Sequence, residues 1–301
     1  MTDETIRCGF VAVIGATNAG KSTLVNRLVG TKVSIVSRKV QTTRSLVRGI
    51  AMVGASQVIF VDTPGIFAPK RRLDRAMVET AWSGARDADL VALVIDSARG
   101  IDDETRRLLD KLSGVGHPKV LVLNKIDIVK RDSLLALADE ANKAVPFERT
   151  FMVSAADGDG ADDFLAYLAT QVPSGPWLYP AEEVSDVPLR QLAAEITREK
   201  LFERLHQELP YETTIETEQW TEQKDGSVRI EQTIFVARDS QKKIVIGKGG
   251  QAIKAISMAA RAEIAEIAER PVHLFLFVKV RENWADDPER YRAMGIEYPR
   301  E

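Results

Sequence analysis

The stretch Gly15-Ala16-Thr17-Asn18-Ala19-Gly20-Lys21-Ser22-Thr23 restricts what this chain can fold into more than any other. It follows the apolar run Phe10-Val11-Ala12-Val13-Ile14 and opens a helical pattern whose apolar side is Leu24, Leu28 and Val29. Strand, glycine-rich turn and helix, in that order, form a cradle of backbone N–H groups suited to phosphate. Gly15 and Gly20 give the turn the freedom to aim those groups at one polyphosphate. Lys21 is placed to reach β and γ oxygens, and Ser22 to set its hydroxyl on a magnesium ion.

Downstream residues extend this reading in chain order. Polar residues 38 to 44, with paired threonines, suit a mobile segment that offers a hydroxyl to magnesium; Thr43 is the candidate and Thr42 its rival. The runs 46–53 and 57–61 read as a hairpin ending in Asp62-Thr63-Pro64-Gly65. A carboxylate at the carboxyl end of a strand lies where open α/β sheets bind ligands, so Asp62 is a metal candidate. Gly65 is placed to present its N–H to a γ-phosphate. The apolar runs 89–96 and 119–123 read as buried parallel strands. The second delivers Asn124-Lys125-Ile126-Asp127: Asp127 to accept from guanine N1–H and N2–H2, Lys125 to cover the ring, Asn124 to tie the base loop to the phosphate loop. Ser154-Ala155-Ala156 closes over the base through backbone groups.

With 301 residues the chain has room for two domains of ordinary size. A charge of -3 excludes a surface coated in basic residues, though not a local basic patch. The absence of a long uncharged apolar run or a secretory leader points to a cytoplasmic protein, and the single cysteine, Cys8, excludes an internal disulfide. Residues 6–174 read as the nucleotide domain, the proline-rich stretch 175–188 as a linker, and 189–301 as a second domain.

In that second domain a helix over 189–205 precedes alternating strands at 211–222 and 227–237. Ile244-Val245-Ile246-Gly247-Lys248-Gly249-Gly250 then opens a helical run from 252 to 269, and a third strand spans 272–280. Lys242, Lys243, Lys248 and Lys254 make the loop locally basic, which favours phosphate backbones without choosing sequence. Base choice falls to groups around Ile246, Ile253 and the neighbouring strand.

The phosphate loop, Thr43, Asp62–Gly65, Asn124–Asp127 and Ser154-Ala155 together resemble the five recurring elements of translation-factor-class GTPases. The forms Asn18-Ala19-Gly20-Lys21-Ser22 and Gln41-Thr42-Thr43-Arg44 resemble the Era family, and the element order of the second domain resembles a type II KH domain. The resemblance implies an α/β P-loop NTPase domain followed by a smaller α+β KH domain. It implies a GTP-hydrolysing switch, moving at residues 38–44 and 65–77, that binds 16S rRNA near its 3′ end and assists maturation of the 30S ribosomal subunit. It further implies catalytic roles for Asn18, Lys21, Thr43 and Gly65, with Mg2+ held by Ser22, Thr43 and Asp62. RNA would be clamped at Gly247-Lys248-Gly249-Gly250. Many small GTPases carry glutamine directly after the Asp-x-x-Gly turn; here Ile66 stands there and cannot orient a water. In related GTPases an asparagine at the position of Asn18 helps to bind K+, which would supply positive charge in its place. A monomer is expected, and peripheral association with the inner membrane is compatible with this reading. The C-terminal segment with Trp284 and Met294 either packs on the KH domain or lines its RNA cleft.

Overall fold

The computed structural model describes residues 5–37, 39, 42–205, 209–282, 284 and 287–299. Arg38, Val40 and Gln41 of the expected switch segment lie outside the described residues, as do Asn283, Ala285 and Asp286 of the C-terminal segment. By internal contacts the chain separates into two compact units: Met1–Ser34 with Val40–Asp186 and Met294–Glu301, and Ile35–Lys39 with Val187–Ala293.

In the first unit, β1 (Arg7–Ile14), β2 (Val47–Val53), β3 (Ser56–Asp62), β4 (Leu90–Asp96), β5 (Lys119–Asn124) and β6 (Arg149–Val153) form one sheet in the order β2-β3-β1-β4-β5-β6. Only β2 runs antiparallel to its neighbour. The unbroken apolar runs of the central strands follow from burial on both faces. Val11 and Val13 enter one core with Leu24 of α1 (Lys21–Val29) and Phe164 of α5 (Ala161–Gln171). Ala12 and Ile14 enter the other, with Trp82 of α2 (Arg72–Asp87), Leu108 of α3 (Asp103–Leu112) and Leu137 of α4 (Arg131–Ala144). The chain changes direction across the sheet at β1, between β3 and β4, so the loop after β1 lies at the switch point where such sheets bind ligands.

Residues 33–37 form no strand; Asn26 Oδ1 accepts from the Val33 and Ser34 N–H groups at 2.9 Å each in place of a sheet partner. Residues 174–186 run along this sheet: Gln57, buried in β3, accepts from the Leu178 and Tyr179 N–H groups at 2.9 and 3.1 Å, and Ile50 N–H donates to Val184 O.

The second unit holds a three-stranded sheet, β7 (Thr213–Glu222), β8 (Val228–Val236) and β9 (Val272–Val280), with β7–β8 antiparallel and β8–β9 parallel. A parallel pair requires a crossover, supplied by α7 (Asp239–Ile246) and α8 (Gln251–Ile267). Helix α6 (Leu189–Arg204) and α8 cover one face, burying Ile196, Phe202, Ile256, Ala260 and Ile264. Helix α7 forms although its Ile-Val-Ile run favours a strand. Gln241 decides the matter locally: its Oε1 accepts from the Ala237 and Arg238 N–H groups at 2.9 and 3.1 Å and caps the helix start. Trp284 is buried and donates from Nε1 to Glu212 O at 3.1 Å, so it packs rather than lining a cleft. Among the described residues no helix is long and apolar enough to cross a membrane.

Candidate nucleotide site and RNA-binding loop

The carboxyl ends of β1, β3, β4, β5 and β6 carry Gly15, Asp62, Asp96, Asn124 and Ser154 to one edge of the sheet. Gly15 allows the loop to begin against β4, since a Cβ there would lie 2.4 Å from Val94 O. Gly20 has φ +93°, and a Cβ on it would lie 2.2 Å from Asn124 Nδ2. That amide donates to Ala19 O at 2.9 Å and its Oδ1 accepts from Ala155 N–H at 3.0 Å. Asn124 therefore joins the phosphate loop, the base loop and the 154–156 turn. Ala16 pairs with Ile66 through a short bridge, and Ile66 N–H donates to Gly15 O at 3.1 Å, so the Ile66 side chain is buried against the core.

Asp62 is fully buried. Its Oδ2 accepts from Ser22 and Ser34 hydroxyls at 2.7 Å each and from Thr43 at 3.4 Å, and Thr43 Oγ1 lies 2.9 Å from Ser22 Oγ. Its Oδ1 is buried with no partner. An orphaned carboxylate oxygen beside two hydroxyls is a hard-oxygen donor set, and it fits Mg2+. Thr63 turns inward, donating to Val13 O at 2.8 Å, and so fixes the turn through Pro64 to Gly65. Gly65 approaches closely: a Cβ there would lie 2.9 Å from Thr17 Cγ2. Thr23 is half-buried one turn into α1.

On the base side, Lys125 adopts φ +64° and its Nζ lies 2.6 Å from Asp96 Oδ2, which holds its stem extended beside Gly20. Asp127 is an exposed carboxylate in the 126–128 turn. Ser154 and Ala155 are buried while Ala156 is exposed; Arg27 of α1 bonds the carbonyls of Ala155 and Ala156. Ser34, Asp96 and Arg27 escape the sequence analysis. Only Asp96 had a signal, a carboxylate ending a strand as Asp62 does.

In the second unit Gly247, Gly249 and Gly250 all have positive φ, at +75°, +60° and +77°. A Cβ on Gly247 would lie 2.6 Å from Ala252 Cβ, so that glycine serves the turn itself. Gly249 and Gly250 face open space, which lets another backbone come close. Lys243, Lys248 and Lys254 are exposed around them, with Lys242 and Ile246 half-buried. Beside α7, the helix-facing side of β9 opens progressively. Val272 and Leu274 are buried, Leu276 and Val278 partly so, and Val280 is exposed, giving an apolar floor that the sequence analysis named only as a neighbouring strand.

A family model described as a 50S ribosome-binding GTPase matches residues 10–125, and one described as a KH domain matches residues 208–285. GTPase Era of Rhizobium meliloti (strain 1021) is 68% identical over 294 residues, covering 98% of this chain and 94% of the relative. GTPase Era of Brucella suis biovar 1 is 64% identical over 293 residues, covering 97% and 94%. The chain belongs to the Era family of GTPases. Two solved Era structures extend the likeness to the whole fold, each at TM-score 0.91 and 37% identity over 96% of this chain and 99% of theirs. One is an Aquifex aeolicus Era variant bound to GDP and aluminium fluoride; the other is Era with MgGDPNP and nucleotides 1506–1542 of 16S ribosomal RNA. This Era-family chain is accordingly a GTP-hydrolysing enzyme that binds its nucleotide with Mg2+.

Lys21 gives the nucleotide site a pH dependence. It is buried, donating to Gly15 O at 3.2 Å and Ala16 O at 3.0 Å, and burial lowers its ammonium from the usual 10.5 to about 8 against the opposing charge of Asp62. The folded value lies below the unfolded one, so nucleotide-free protein gains stability as pH rises from about 8 toward 10.5. Phosphate binding needs the charged form and runs the other way. GDP titrations are expected to weaken roughly fivefold between pH 8 and 9, and a Lys21→Met variant to show no such slope. A flat profile in the parent would remove this assignment.

Proposed function

We propose that this chain is a GTP-operated switch that binds the 3′ end region of 16S rRNA and assists maturation of the 30S ribosomal subunit. The observation that carries this reading is one chain holding both the Ser22–Thr43–Asp62 cluster around an unpartnered carboxylate oxygen and a Gly-Lys-Gly-Gly loop with two open glycines. The likeness to Era in complex with MgGDPNP and 16S rRNA supports it. The nucleotide domain is read as residues 6–174 and the RNA-binding domain as 189–301. Lys21 and the loop N–H groups bind the phosphates, Ser22, Thr43 and Asp62 hold Mg2+, and Asn124, Lys125, Asp127 and the 154–156 turn select guanine. Bound Mg2+ would neutralise charge on the β and γ oxygens. Gly65 senses the γ-phosphate through its N–H. Gly247–Gly250 and Lys242, Lys243, Lys248 and Lys254 grip the RNA backbone, while Ile246 and the open floor of β9 meet the bases.

Asn18 is read as a K+ ligand that compensates for Ile66, whose buried apolar side chain leaves water unoriented. The protein is read as a cytoplasmic monomer, any membrane association being peripheral. One experiment set tests the whole: retention of a 3′-end 16S RNA fragment with a GTP analogue or GDP, and hydrolysis in KCl or NaCl. Expected are tighter RNA binding with the analogue, faster hydrolysis in KCl, and loss of the salt difference in Asn18→Ala. Equal RNA binding with analogue, GDP and no nucleotide would overturn the switch. Identical rates in both salts would remove K+.

A further inference from the structure

We propose that Arg99 is a positioning residue for GTP hydrolysis, acting through the Thr17–Asn18 peptide of the phosphate loop. Arg99 follows β4, and its Nη1 donates to Thr17 O at 3.2 Å. From behind, its Nη2 bonds the Asp102 carboxylate and lies 3.8 Å from Glu104 Oε2. Asp102 is itself fixed as the cap of α3, its Oδ1 accepting from Thr105 N–H at 2.9 Å. The guanidinium thus spans from an anchored helix start to one carbonyl of the phosphate loop.

In a trans peptide the carbonyl and the following N–H point in opposite directions. With the Thr17 carbonyl turned to Arg99, the Asn18 N–H points the opposite way, to the side on which bound phosphates would lie. Asn18 also has φ +60°, a left-handed conformation that few residues with a Cβ adopt and that asparagine tolerates. The Arg99 bond opposes a flip of this peptide out of that conformation. As the γ-phosphoryl departs, charge accumulates on the oxygen it leaves. A donor already fixed there stabilises the transition state more than bound GTP. Two carboxylates neutralise the guanidinium, so its effect runs through the peptide and not through contact with the γ-phosphate.

This inference rests on GTP hydrolysis at the site and not on the RNA reading. The test compares Arg99→Ala and Arg99→Lys with the parent, using Arg106→Ala, exposed on the neighbouring α3, as a control. Single-turnover hydrolysis, affinities for GDP and for GDP with aluminium fluoride, and melting temperature are measured on the full chain. Arg99→Ala is expected to lose about tenfold to a hundredfold in hydrolysis and a similar factor in affinity for the transition-state analogue. Its GDP affinity should stay within about twofold of the parent and its melting temperature should not move, with Arg99→Lys recovering part of the rate. A parental rate in Arg99→Ala, or parallel falls in rate, GDP affinity and melting temperature, would overturn the proposal. Absence of GTP turnover in the parent would instead sink the reading of the site.

Discussion

An Asp62→Asn variant is expected to lose at least about a thousandfold in GTP turnover while its nucleotide-free form melts no lower than the parent. The two halves have one cause. Burial pushes the Asp62 carboxyl above the usual carboxylate range, against hydrogen bonds from Ser34, Ser22 and Thr43 and the charge of Lys21. A carboxyl whose folded value is raised contributes stability below its unfolded value and loses it as pH climbs through the interval between them. Burial therefore works against the charged form of Asp62 in the metal-free fold, where Oδ1 is unsatisfied. Asparagine keeps an acceptor for Ser22 and Ser34 and removes the charge, so metal-free stability holds or rises. It places an amide where the metal needs an anion, so the Mg2+-dependent rise in melting temperature with GDP should vanish. Turnover within about tenfold of the parent, or a collapse in metal-free melting temperature, would show that Asp62 has a different role.

Much of this nucleotide site is local chemistry, and for that reason it is legible in sequence. Gly15, Gly20, Lys21 and Ser22 work through their own backbone and spacing, and Asp62 and Asn124 end apolar strands. The same holds for the helices that display one apolar face, such as α6 with Leu192, Ile196 and Leu201. Helix α4 was equally readable, since Leu134, Leu137 and Ala141 recur at helical spacing, yet the sequence analysis assigns nothing there. Other features depend on partners distant in the chain. Ser34 reads as a polar residue in an apolar run until the fold sets it on Asp62, 28 positions away. Arg27 and Arg99 look like surface arginines until it sets them on backbone carbonyls 128 and 82 positions away. Helix α7, by contrast, is decided locally, where the cap that Gln241 makes three and four residues back outweighs the β-branched run.

Gly249→Asp is expected to weaken binding of the 3′-end RNA probe about a hundredfold while leaving GTP hydrolysis and melting temperature unchanged. The three glycines of the loop differ in what a side chain would strike. At Gly247 a Cβ meets Ala252 at 2.6 Å, so any substitution there disturbs the start of α8 and confuses binding with folding. At Gly249 a Cβ meets nothing within 4 Å, and aspartate is among the residues that tolerate its φ of +60°. The fold therefore accepts the change, and the lost affinity comes from the ligand side: a carboxylate stands where a phosphate must approach, beside exposed Lys248. Lys248→Ala should act more gently, lowering the dependence of affinity on salt by about one counterion without changing which RNA is preferred. Gly249→Ala separates bulk from charge, because it adds the same Cβ without the carboxylate. Parental RNA affinity in Gly249→Asp, with hydrolysis intact, would mean that RNA does not pass over this loop.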